Sequence, residues 1–174
     1  SVAWKMALEN TDTPSGLSLS RQGIKDLPAQ GESRYQEALA AEKGGYLVKE
    51  VENPDVVLIA NGSEVATLFA AAEILEEKEG LKVNIASVIS EGLFRNQPKA
   101  YQDSVIPKDK PLFGLTAGLP VNLEGLVGES GQVFGLDHFG YSAPATVLDD
   151  KFGFTGEKVS QQVLAYLNES VLTK

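Results

Sequence analysis

The 174 residues carry 15 Lys plus Arg against 24 Asp plus Glu, one His and no Cys, for a formal charge of −9. The acid excess argues against a nucleic-acid binder, which needs a field of Lys and Arg, and the lack of Cys removes disulfides, thiolate zinc sites and cysteine nucleophiles. One His builds no multi-histidine metal site, and the longest apolar run, residues 56–60, is far too short to span a membrane. With no basic, apolar leader at the start, the expectation is one acidic, cytoplasmic domain.

Residues 1–8 begin without an initiator Met in an apolar-periodic stretch, with Trp4, Ala7 and Leu8 on one helical face. They are expected to be the tail of an element that belongs to something upstream. After the turn cluster Asp12-Thr13-Pro14-Ser15, residues 16–20 alternate and predict a first strand. Residues 33–43 predict a short helix stopped by Gly44-Gly45, and residues 46–51 predict a strand. The tight connection Asn53-Pro54-Asp55 suggests that this strand pairs antiparallel with the next run.

That run, Val56-Val57-Leu58-Ile59-Ala60, is β-branched without alternation, as in a strand covered by helices on both faces. Ser63 is placed to cap a helix over residues 64–79, which Gly80 ends; Val65, Leu68, Phe69, Ala72 and Leu75 share one side of it. Strands are predicted over residues 82–88, 111–117 and 132–136, and helices over 96–104, within 118–127, and over 157–172. In the last, Val159, Val163, Tyr166 and Leu167 point inward. Strands separated by helices predict an α/β fold: three layers, a mostly parallel sheet and one antiparallel edge strand.

Three places invite chemistry. Arg21 follows the first predicted strand, where open α/β sheets collect ligands, and its fork could hold a phosphate by two parallel bonds. It could equally be a solvated cation paired with one of many carboxylates. Asn61-Gly62-Ser63-Glu64 offers free N–H groups at a helix start, but it lacks the P-loop Lys and the dinucleotide glycines, so a plain cap is the simpler reading. His138 beside Asp137 suggests a general base, yet neighbours on extended chain point to opposite faces, and no Gly-x-Ser-x-Gly elbow accompanies them. The acid run between Glu73 and Glu79 reads as a solvated helix face. No catalytic residue is assigned.

The segment Gly135-Leu136-Asp137-His138-Phe139-Gly140-Tyr141-Ser142-Ala143-Pro144, with Leu148 and Phe152-Gly153-Phe154-Thr155, resembles the C-terminal domain of transketolase. Leu19-Ser20-Arg21-Gln22, Gly44-Gly45-Tyr46, Ala60-Asn61-Gly62-Ser63-Glu64-Val65, Phe94 with Gln97 and Tyr101, Ala117-Gly118 and Val127-Gly128 match in the same order. The resemblance implies an upstream remainder over residues 1–15 and the C-terminal domain over 16–174. It implies a parent enzyme that moves a two-carbon ketol unit between sugar phosphates in the pentose phosphate pathway. That parent would use thiamine diphosphate and a divalent metal (Mg or Ca) held by upstream diphosphate- and pyrimidine-binding domains, and would be a homodimer. This chain would bind no cofactor and would be inactive alone, supporting the dimer.

Arg21 then takes the place of the arginine that contacts the substrate's terminal phosphate. Thr116 stands where an acidic residue is usual, and Asp137-His138 where Asp-Thr or Asp-Arg is usual, which argues against chemistry at His138. A noncatalytic binding or regulatory module of the same fold, and a related thiamine enzyme such as a dihydroxyacetone synthase, remain the alternatives.

Overall fold

Strand Val56–Ala60 (β2) is buried at every position, and the molecule is built outward from it. A computed structural model describes residues 2–20 and 23–172. The chain order is Val2–Glu9 (α1), Arg34–Ala38 (α2) running into a 3-10 turn Leu39–Lys43, then Gly45–Lys49 (β1), β2, Glu64–Glu79 (α3), Val83–Val88 (β3), Glu91–Arg95 (α4) and Lys99–Val105 (α5). Leu112–Leu115 (β4), Val121–Val127 (α6), Gln132–Phe134 (β5), Ala145–Phe152 (α7) and Gly156–Leu172 (α8) complete it. The sheet order is β1-β3-β2-β4-β5; β2 runs parallel to β3 and β4, β4 parallel to β5, and β1 antiparallel to β3. This is the expected mostly parallel sheet with one antiparallel edge strand.

The pleat of β2 divides the core in two. Val56, Leu58 and Ala60 join Leu68, Ala72 and Leu75 of α3 and Val159 and Val163 of α8. Val57 and Ile59 face the other way, toward Phe94 of α4, Val105 of α5 and Val127 of α6. Successive side chains point to opposite faces of a strand, so an unbroken apolar run requires both helical layers. Helices α3 and α8 approach closely because Gly156 has no side chain: a Cβ there would lie 2.6 Å from the Cβ of Ala70. Gly44 is similarly demanded, with φ +83° and a Cβ that would meet Phe94 N and Ser90 O at 2.5 Å.

Several expectations are corrected. Residues 16–20 belong to no strand, and Leu19 is 81% exposed. Alternation alone cannot make a strand without a backbone to pair with, and the outer edge of β1 is occupied by the chain around Gln30 and Arg34. Strand β1 pairs with β3 rather than with β2, in the register Gly45↔Val88 to Lys49↔Ile85. Both flanks of β2 are already taken by parallel neighbours, so the 53–55 turn carries the chain across β3 instead of closing a hairpin. Asn53 supplies that turn at φ 52°, and Asp55 and Lys82 exchange bonds beside it. Ser63 is itself helical (φ −64°, ψ −32°) and makes no side-chain cap; its hydroxyl donates to Glu64 Oε1 at 2.8 Å. Helices α4 and α7 were not anticipated: Phe94 is the buried residue of the first and the second has none, so neither shows a period.

Candidate functional site

Arg21, the sequence-predicted phosphate ligand, lies outside the described residues, as does Gln22. Residues 16–20, expected to be the strand before it, form no strand. On the upstream side Pro14, Gly16 and Leu17 line a groove of about 510 Å³ against Ala3 and Ala7 of α1 and Leu93 of α4. On the downstream side residues 23–26 are exposed, and Leu27 is the first to pack against a core.

The chain leaves β2 for β3 on one side and later fills β4 on the other, so the loops after β2 and β4 flank a topological switch point. Two of its polar side chains are engaged locally. Glu64 sits in the first turn of α3, where its charge offsets the helix dipole, and takes the Ser63 hydroxyl. Thr116, 6% exposed, accepts the Gly118 N–H at 3.1 Å. In the Asn61-Gly62-Ser63-Glu64 segment no side chain caps the helix, and the Ser63 hydroxyl is engaged by Glu64.

His138 is exposed, with Nδ1 2.9 Å from the Phe139 carbonyl and its ring 5.2 Å from that of Phe152. Tyr141 stacks on the same Phe152, and Lys151 lies over the Tyr141 ring. The imidazole is thus part of a surface aromatic stack rather than a dyad with Asp137. In α3, Glu73, Glu77 and Glu79 are exposed, and Glu76 pairs with Lys49 at 3.1 Å.

One cluster escaped sequence reasoning. On α2, Arg34 Nη1 meets Glu37 Oε2 at 2.8 Å. Glu37 Oε1 accepts the Gln30 and Gly31 N–H groups at 2.9 and 2.7 Å, and Arg34 Nη2 donates to the Val48 carbonyl at 2.9 Å. Arg34 also donates through Nε and Nη2 to the Pro28 carbonyl. The Gly31 N–H above all, with that of Gln30 and the Arg34 charge, holds the Glu37 carboxyl below its ordinary range against a smaller opposing effect of burial. The available signal was Arg34 and Glu37 three apart just after the capping Ser33, which accepts the Tyr35 N–H. Beside them, a cavity of about 860 Å³ along β1 is lined by Lys43, Tyr46, Glu50 and Tyr101. The Tyr101 phenol, pushed up by burial, donates to the Gly45 carbonyl at 2.8 Å, and Lys43 lies over its ring.

Among the described residues no three His, Asp or Glu side chains gather to hold a metal ion. Nor is any helix among them long and apolar enough to cross a membrane.

A family model described as the transketolase-like TK C-terminal domain matches residues 44–155, from the glycine before β1 to the loop before α8. The chain belongs to this transketolase family. It is 36% identical over 171 residues to a transketolase of Geobacillus stearothermophilus, covering 97% of this chain and 25% of that one. It is 41% identical over 160 residues to transketolase 1 of Vibrio vulnificus, covering 91% and 23%. Among solved structures, a Pichia stipitis transketolase in complex with sedoheptulose 7-phosphate superimposes with a TM-score of 0.86 at 30% identity, over 96% of this chain and 23% of that one. This transketolase domain thus spans about a quarter of the length of the relatives it matches.

Proposed function

We propose that this domain serves a thiamine diphosphate-dependent transketolase in which two-carbon ketol units pass between sugar phosphates in the pentose phosphate pathway. Likeness to a transketolase along 97% of the chain carries this reading. The cofactor, with its Mg or Ca, supplies the carbon-transfer chemistry and belongs to diphosphate- and pyrimidine-binding parts of the protein other than this chain; the described residues offer no metal cluster for it. The domain alone is inactive, and the whole protein is a cytoplasmic homodimer. Exposed Phe139 (98%), Val121 (62%) and Leu119 (55%) are apolar side chains suited to contact with the remainder of that assembly.

In this reading Arg21 anchors the terminal phosphate of the sugar. A domain of net charge −9 repels a sugar phosphate unless a local cation offsets it. Binding energy taken far from the reacting carbon holds the substrate in register. The sugar phosphate bound by the Pichia stipitis relative supports the substrate class.

The test is ketol transfer by the full-length protein with Arg21→Ala. Loss of a charge-assisted contact worth about 1.5–3 kcal/mol raises KM for a phosphorylated ketose roughly ten- to a hundredfold. An unphosphorylated donor is little affected. Equal damage to both donors removes the phosphate role.

A further inference from the structure

Seven asparagines are spread along the chain, and the fold treats one of them differently. An asparagine is labile when the backbone N–H that follows it is free to attack its side-chain carbonyl carbon. Six are kept from that reaction. Asn53 precedes Pro54, which has no N–H. Asn84 is 6% exposed in β3, and its Oδ1 accepts the Val51 N–H at 2.7 Å. Asn10 Oδ1 accepts the N–H groups of Asp12 and Thr13. After Asn96 and Asn122 the next N–H is already bonded, Gln97 to the Phe94 carbonyl and Leu123 to the Pro120 carbonyl. Asn168 lies inside α8, where the helical ladder takes the next N–H.

Asn61 is the exception. Strand β2 ends at Ala60, and both Asn61 and Gly62 are exposed. Among the described residues, neither the Asn61 side-chain amide nor the Gly62 N–H has a hydrogen-bond partner. Gly62 stands at φ +58°, and a Cβ built on it would meet one side-chain atom, Glu64 Oε2, at 4.0 Å. Glycine thus leaves the attacking nitrogen unscreened, where any side chain would crowd it.

We propose that Asn61-Gly62 is a covalent modification site, where the amide converts without an enzyme into aspartate and isoaspartate. The Gly62 nitrogen gives its proton to hydroxide and bonds to Asn61 Cγ. The Cγ–Nδ2 bond breaks, and ammonia leaves with a proton from water, which regenerates the hydroxide and closes a five-membered imide. Water then opens the imide. Cleavage of the new bond to Cγ gives aspartate; cleavage of the bond to the Asn61 main-chain carbonyl carbon gives isoaspartate, with one more methylene in the backbone. No oxidant or reductant takes part. Either product places a negative charge ahead of α3, on the side its dipole favours. Isoaspartate also lengthens the connection from β2 to α3 at the switch point. Its carboxylate is the group that an isoaspartyl carboxyl methyltransferase accepts, which makes the modified loop a substrate for that class of enzyme.

The experiment holds the full-length protein in mildly alkaline buffer over days, native and in urea, while peptide mapping by mass spectrometry follows each asparagine of this domain. In the native protein Asn61 reacts at least about tenfold faster than any other of them. Its native rate stays within about tenfold of its rate in urea, because no opening of the fold has to precede attack. The peptide that holds position 61 then takes a labelled methyl group from S-adenosylmethionine in the presence of an isoaspartyl methyltransferase, and Asn61→Gln abolishes that label. A native rate more than about tenfold below the urea rate means that the fold protects the site, and overturns the proposal. A second asparagine of the domain reacting within about tenfold of Asn61 overturns it too, as does an aged peptide that takes no label or a label that survives Asn61→Gln. Should Asn61→Gln not fold, the comparison of native protein with urea decides by itself, since it needs no variant.

Discussion

The Tyr166 hydroxyl accepts the N–H of Leu112, the first residue of β4, at 3.2 Å, and donates to the Ser130 carbonyl at 2.9 Å. One phenol on the last helix thereby ties down both the start of a central strand and the turn before β5, while its ring tilts against Phe113 at 6.2 Å. Tyr166→Phe keeps the ring and strands a buried N–H, which costs about 1–3 kcal/mol. Urea denaturation of the purified chain should show a lower midpoint with an unchanged slope.

Gly156 opens α8 against Ala70 of α3, with no room for a methyl group. Its backbone is not in the left-handed region, so the obstacle to Gly156→Ala is packing rather than strain. The Ala70 Cβ at 2.6 Å and the Ala70 backbone carbon at 2.9 Å must give way. The expected loss is about 1–3 kcal/mol, as for overpacking generally, read by the same denaturation. Ala70→Gly in the same chain should recover part of it.

Glu37 makes the hold on Gln30 and Gly31 sensitive to acid. Its folded pKa is lowered below 4.5, chiefly by the Gly31 N–H, so its contribution is fully present above that value and is lost as pH falls through the folded pKa. The amide proton resonances of Gln30 and Gly31 should therefore titrate together with a midpoint below 4.5. Glu37→Gln should abolish that titration. A midpoint above the ordinary carboxylate value would contradict the bonding described.

His138 takes part in a surface stack with Phe152. His138→Ala in the full-length protein should change the rate of ketol transfer by less than about twofold and leave its pH profile in place. A lost limb of that profile would restore the base.

The isolated chain should show no saturable heat with thiamine diphosphate and Mg, because its described residues gather no three metal-ligating side chains. Calorimetric titration decides this directly.

Much of the fold was legible in the chain itself. The unbroken run of β2 demanded a helical layer on each face, and the period of α3 and of α8 marked their inward sides, because burial on one face leaves a repeat that can be read locally. Arg21 and the ordered motifs pointed to the family by resemblance rather than by physics. The partner of β1 was decided only by the tertiary structure, since which strand lies next to which depends on what already occupies the flanks of β2. So was the failure of residues 16–20 to become a strand: alternation records a preference, while hydrogen bonding needs a free edge. The clasp of Arg34 and Glu37 belongs there too, because its bonds reach Pro28, Gln30, Gly31 and Val48, and nothing in local spacing says which backbone groups a folded chain will bring to a guanidinium.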